Sequence, residues 1–172
     1  MKRPIHLYIF VALSAIASLL RVYNAFFSHY NEEAMLQLVQ SAPSIDENFL
    51  IYTKEAIGFQ TNLINKVLAA LLLLIVVATI VFLFMKKNEQ ASFTYLGYVF
   101  GALLFNTYAF IGGKGLVSIF TDALTRQGTS ATLMGGYIVN VVLFVIYFGV
   151  TVFFHLRKPK EKPNAATNAT DI

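Results

Sequence analysis

Residues 68–84 read LAALLLLIVVATIVFLF, a run with no charged side chain and with Thr79 as its one polar group. The flanking charges, Lys66 and Lys86, enclose 19 uncharged residues. A helix rises about 1.5 Å per residue, so roughly 20 apolar residues cross the hydrocarbon of a bilayer. This stretch therefore reads as a transmembrane helix, and it sets the solvent in which the rest of the chain is to be understood.

The same spacing of charges recurs on either side of it. Uncharged runs cover residues 4–20, 90–113 and 127–156, or 17, 24 and 30 residues. The expected fold is an all-α integral membrane protein with four transmembrane helices at about 5–27, 64–86, 91–113 and 133–156. Arg21, near the end of the first, is expected to reach up to the interface on its long side chain. Residues 1–157 form one membrane domain in this reading, and residues 158–172, with Pro159 and Pro163, form a disordered cytoplasmic tail. Composition agrees. The 172 residues are 57% hydrophobic and 13% charged, with a mean hydropathy of +0.64. A soluble domain carries about 25% charged residues. Cysteine is absent, which removes disulfides, thiolate metal sites and cysteine nucleophiles.

Orientation follows from the basic residues. Lys2, Arg3, Lys86, Lys87, Arg157, Lys158, Lys160 and Lys162 fall on one side, and Arg21, Lys54, Lys66, Lys114 and Arg126 on the other. The first group crowds the span ends, so that side is expected to be cytoplasmic, with both termini inside and the protein in the plasma membrane. The net charge of +4 then reports orientation and points to no nucleic-acid partner. A rival reading of the start is a secretory signal, with Lys2-Arg3 before an apolar run and Ala15-Ile16-Ala17 as a cleavage site. The apolar run continues through Leu19 and Leu20, which favours an uncleaved span.

The extracytoplasmic segments 31–63 and 114–130 carry short amphipathic helices in this reading. Asn31 is placed to cap one, with Glu32 and Glu33 in its first turn. Ser44-Ile45-Asp46-Glu47 matches a capping box. From there Ile45, Phe49, Tyr52, Ala56, Phe59, Leu63 and Val67 follow a helical spacing, which predicts one unbroken helix of about 42 residues into the second span. The two outer helices are expected to fold back on each other or to lie on the membrane. In the second segment Leu116, Val117, Phe120, Ala123 and Leu124 share a face, and Gly128 is expected to end that helix. Gly112-Gly113-Lys114-Gly115 lacks the spacing and hydroxyl of a phosphate loop and reads as a flexible exit from span three.

Few residues promise chemistry. Gly97 with Gly101, and Ser14 with Ser18, are small residues four apart that let helix backbones approach. Asn106 and Asn140 are the main strongly polar residues inside the spans. By residue count both lie about 10 Å below the outer surface, so a cross-helix hydrogen bond or a polar binding spot is expected there. No acidic or basic residue is expected deep in any span, which argues against a proton-coupled pump of the small multidrug type. His29, Glu32 and Glu33 share a helical face that better suits capping than a metal, and His6 and His155 sit at span ends where haem ligands are not wanted. The Asn168-Ala169-Thr170 glycosylation pattern lies on the cytoplasmic side.

The resulting expectation is a non-enzymatic membrane protein with no cofactor and no metal. It acts through another membrane protein or a second copy of itself, as an accessory subunit of a transport or envelope complex or as an immunity or sensor-type protein. Phe49, Tyr52, Ala56 and Phe59 are the expected docking face. The alternative is a small homo-oligomeric channel or carrier for an uncharged or weakly charged solute, lined by Asn106, Asn140, Thr107 and Tyr98.

Overall fold

A computed structural model describes residues 5–41 and 47–156. The described chain is helical throughout: α1 (Ile5–Phe27), α2 (Glu32–Ser41), α3 (Glu47–Gln60), α4 (Leu63–Phe84), α5 (Asn88–Leu116), a 3₁₀ turn (Val117–Ile119) and α6 (Ala123–Leu156). Four helices, α1, α4, α5 and α6, are long and apolar enough to cross a membrane. The proposed capping box at Ser44, Pro43 before it, the tail and Asn168 lie outside the described residues.

The four long helices run alternately up and down. Tyr8 at the start of α1 lies beside Leu83 at the end of α4, and Phe10 beside Tyr147 of α6, whereas Ser14 and Ser18 of α1 meet Tyr95 and Tyr98 of α5 in the same order. α2, α3 and the 3₁₀ turn sit at one end of the bundle, termed the cap end. The opposite, terminal end holds the start of α1 and the turn between α4 and α5. That turn is a Schellman closure: Lys86 N–H donates to the Leu83 carbonyl and Lys87 N–H to that of Phe82. It places Lys86 at φ 59°, a left-handed backbone normally left to glycine.

The close-packed core is off-centre. Leu7, Val11, Leu72, Val76, Leu83, Ala91, Tyr95, Tyr98 and Val99 form its buried cluster, which reaches from the terminal end to Leu72 near the middle of α4. At the terminal end α1 and α6 also meet, through His6 stacked on Phe154 at 4.2 Å and Phe10 against Tyr147 at 4.6 Å. Toward the cap end those ring contacts cease, and the facing residues are polar and half-buried.

Helix continuity departs from expectation in three places. The long helix from Glu47 is cut at Thr61 and Asn62. Asn62 adopts an extended backbone and its side-chain oxygen accepts from Asn65 N–H at 2.8 Å, while Asn65 Nδ2 donates to the Phe59 carbonyl at 2.7 Å. Two side-chain amides thus satisfy the orphaned groups at both new helix ends, which makes the break inexpensive. Gly128 does not end a helix. α6 starts five residues before it, with Asp122 accepting from Thr125 N–H at 2.7 Å, and runs 34 residues, about 51 Å. That hydrogen bond holds the Asp122 carboxyl below its usual range. Gly112 and Gly113 lie inside α5, which extends to Leu116 as 29 residues, and no described glycine has the positive φ that a helix-ending or hinge role requires.

The bend at Asn62 lets α3 fold across the cap. Phe59 lies against Tyr108 at 5.2 Å, Tyr52 against Phe120 at 4.8 Å, and Asn48 Nδ2 donates to Thr121 Oγ1 at 3.3 Å. Burial against Phe120 raises the Tyr52 hydroxyl pKa. The expected hairpin of α2 on α3 does not form as a packed pair, and α2 buries none of its residues. Its start is capped by Asn31, whose Oδ1 accepts from Ala34 N–H at 3.0 Å.

Gly112 is where this arrangement is most demanding, since a Cβ there would clash with the tip of the Phe59 ring. Gly112→Ala is expected to lower the thermal midpoint in detergent, in line with an overpacking cost of about 1–3 kcal/mol. In a Phe59→Ala background the same substitution is expected to have almost no effect. Equal losses in both backgrounds would mean that α3 does not rest there.

Candidate functional site

The candidate site is a row of polar side chains that crosses three helices from the core toward the cap. α1 contributes Ser14, Ser18 and Arg21, spaced four and three apart and therefore on one face. α5 contributes Tyr95, Tyr98, Asn106 and Thr107, and α6 contributes Tyr137 and Asn140, three apart.

At the bottom of the row the serines meet the tyrosines. Ser14 Oγ and Tyr95 OH are 3.1 Å apart, Ser18 Oγ donates to Tyr98 OH at 3.1 Å, and Tyr98 OH donates to the Ser14 carbonyl at 3.3 Å. Both serines and both tyrosines are buried, so these bonds satisfy hydroxyls that have no access to water. The small α1 face admits the tyrosine rings of α5. Of the α5 glycines spaced four apart, Gly101 faces Leu72 of α4, which would lie 3.1 Å from an added Cβ, and Gly97 has no neighbour within 4 Å of that position.

One turn higher, Arg21 bends into the bundle. Its Nη1 donates to Tyr98 OH at 3.3 Å and its Nη2 to Asn106 Oδ1 at 3.3 Å, with the guanidinium carbon 5.5 Å from the Phe105 ring centre. Asn106 passes the chain on: its Nδ2 donates to Asn140 Oδ1 at 3.0 Å, and Asn140 Nδ2 donates to the Gly136 carbonyl at 2.8 Å. Beside this pair Thr107 Oγ1 lies 3.1 Å from Tyr137 OH, and Tyr137 stacks on Phe110 at 4.6 Å. The row thus links α1 to α6 through α5. Toward the cap, Lys114 contacts Ser130 and, with Arg126, lines a shallow open groove of about 550 Å³.

Two expectations are corrected here. Arg21 does not reach for the interface, and the spans are not free of charge. The guanidinium finds aligned acceptors on α5, and turning inward satisfies donors that hydrocarbon would leave bare. The stripe expected to dock a partner is largely used within the chain. Tyr52, Ala56 and Phe59 are half-buried and Phe59 packs on Gly112 and Tyr108, so of the four only Phe49 stays exposed. The break at Asn62 turned that face onto the cap. Arg21 was visible in the sequence as a basic residue within an apolar run, but its direction depended on how α1 is rotated against α5.

Elsewhere, His29 Nδ1 contacts the Phe27 carbonyl at 3.3 Å, and among the described residues no three His, Asp or Glu side chains gather as a metal site. His155 stands edge-on to Phe93 at 4.5 Å.

A double-mutant cycle on Asn106→Leu and Asn140→Leu, read by unfolding in detergent, is expected to give a coupling of about 0.6–1.7 kcal/mol. Strict additivity would show that the two amides do not bond.

No curated protein and no solved structure matches the chain. A family model described as a domain of unknown function (DUF8777) matches residues 1–164, and the chain belongs to that family.

Proposed function

We propose that the protein is a non-enzymatic, multi-pass protein of the plasma membrane that acts by binding a second membrane protein, as an accessory subunit of a transport or envelope complex or as an immunity or sensor-type protein. The observation that carries this reading is the incomplete cover of α6. α5 holds that helix along its length, and α1 touches it at the terminal end. Ile138, Val139, Val142 and Val145 are exposed, and Gly135 and Gly136 have no neighbour within 4 Å of an added Cβ. A helix from a partner can approach closely over such glycines. In this reading the partner surface lies on α6 rather than on the α3 stripe.

In this reading the cap is extracytoplasmic and both termini are cytoplasmic, which rests on the distribution of lysine and arginine. Because the chain has no cysteine, single-cysteine variants report sidedness directly. Glu55→Cys is expected to react with an impermeant maleimide on intact cells, and Gln90→Cys only after lysis. The reverse pattern would overturn the orientation.

A second reading, a small homo-oligomeric channel or carrier, is favoured by one observation, the polar row through Asn106, Asn140, Thr107 and Tyr98. Mass measurement in mild detergent separates the two. A single copy bound stoichiometrically to another membrane protein, and released by Gly136→Leu, supports the first. A homo-oligomer whose liposome flux is abolished by Asn106→Leu would replace it with the second.

A further inference from the structure

The charge of Arg21 has no counter-charge within the bundle. α1, α4 and α6 contain no aspartate or glutamate, and the one acidic residue of α5, Glu89, lies in its first turn at the terminal end. A guanidinium has five N–H donors. Two of them serve Tyr98 and Asn106, both neutral and both at 3.3 Å, the long end of hydrogen-bond range. The remaining donors have no partner among the described residues. A cation inside a span is costly, and where it persists it faces an interior or a path and pairs with an opposite charge or with backbone carbonyls.

Arg21 also stands toward the cap end of α1. Arg21 is half-buried and lies six residues before the end of α1, about 9 Å below it. The ring contacts that close α1 on α6 belong to the terminal end, eleven or more residues below Arg21. At the cap rim stand further cations: Lys66 in the first turn of α4, Lys114 in the last turn of α5 and Arg126 near the start of α6. Asp122 stands beside Arg126, and α2 and α3 carry Glu32, Glu33, Glu47 and Glu55, so the rim is mixed in charge and the attraction for an anion is that of the guanidinium itself.

We propose that Arg21, held by Tyr98 and Asn106, is a binding site for an anionic oxygen group, a phosphate or carboxylate, that approaches from the cap end of α1. A planar guanidinium suits such a group because two of its N–H donors can meet two oxygens in parallel. Asn106 and Tyr98 orient the fork, and Asn140 holds Asn106. The group is either the headgroup of an anionic phospholipid or a small soluble anion. The site rests on neither functional reading above, since it requires no protein partner and no transport.

The test uses the full chain in an uncharged maltoside detergent, with thermal unfolding followed by circular dichroism. Phosphatidylglycerol, phosphatidylcholine, inorganic phosphate and acetate are added separately. At saturating anion the midpoint is expected to rise by about 5 °C. A rise with phosphatidylglycerol alone identifies a lipid headgroup, and a rise with phosphate or acetate identifies a soluble anion. Equal rises with phosphatidylglycerol and phosphatidylcholine, or none with any anion, would overturn the proposal. Arg21→Gln is expected to abolish the rise. Asn106→Asp places a carboxylate where the amide oxygen now accepts from Arg21, at the loss of the donation to Asn140, so it is expected to abolish the anion-dependent rise. An undiminished rise in Asn106→Asp would sink the assignment to Arg21 even if Arg21→Gln failed to fold.

Discussion

A polar side chain buried among long apolar helices is costly unless it is hydrogen-bonded, and among the described residues the buried ones find partners on another helix or on their own backbone, with the Thr151 hydroxyl as the exception. That requirement governs the bundle. Ser14, Ser18 and Arg21 lie on one face of α1, and the acceptors that satisfy them, Tyr95, Tyr98 and Asn106, lie on α5. Apolar side chains alone would allow the helices to slide and rotate against one another, because Leu against Leu differs little from Leu against lipid. The serine–tyrosine and asparagine–asparagine bonds remove that freedom and set register and rotation together.

The result is an asymmetric bundle. Its terminal half is a packed core closed by aromatic pairs, and its cap half holds a row of polar groups flanked by half-buried side chains. The cap is assembled by a separate device. Two asparagines, Asn62 and Asn65, break a helix that the apolar spacing would have continued, and the freed segment lays Phe59 against Gly112, where no larger residue leaves room for the ring. Tyr52 and Phe120 complete that contact. Apolar surface that looked available to a partner is thereby used to join the cap to α5 and the 3₁₀ turn, while α6 retains open flanks.

The amino-acid sequence alone revealed the four apolar helices and the comparable depth of Asn106 and Asn140. Each follows from counting residues between charges, and length and hydropathy along one chain are enough to decide them. It also contained, unread, the Asn-x-x-Asn cap at Asn62 and the Asp122 cap that starts α6 early, both local signals outweighed by a continuous apolar spacing on one side and a glycine on the other. The inward turn of Arg21 and the seat of Phe59 over Gly112 were not legible in the same way. They depend on how each helix is rotated about its own axis against its neighbours. That rotation is settled only when polar groups from sequence positions about 80 residues apart satisfy one another at once.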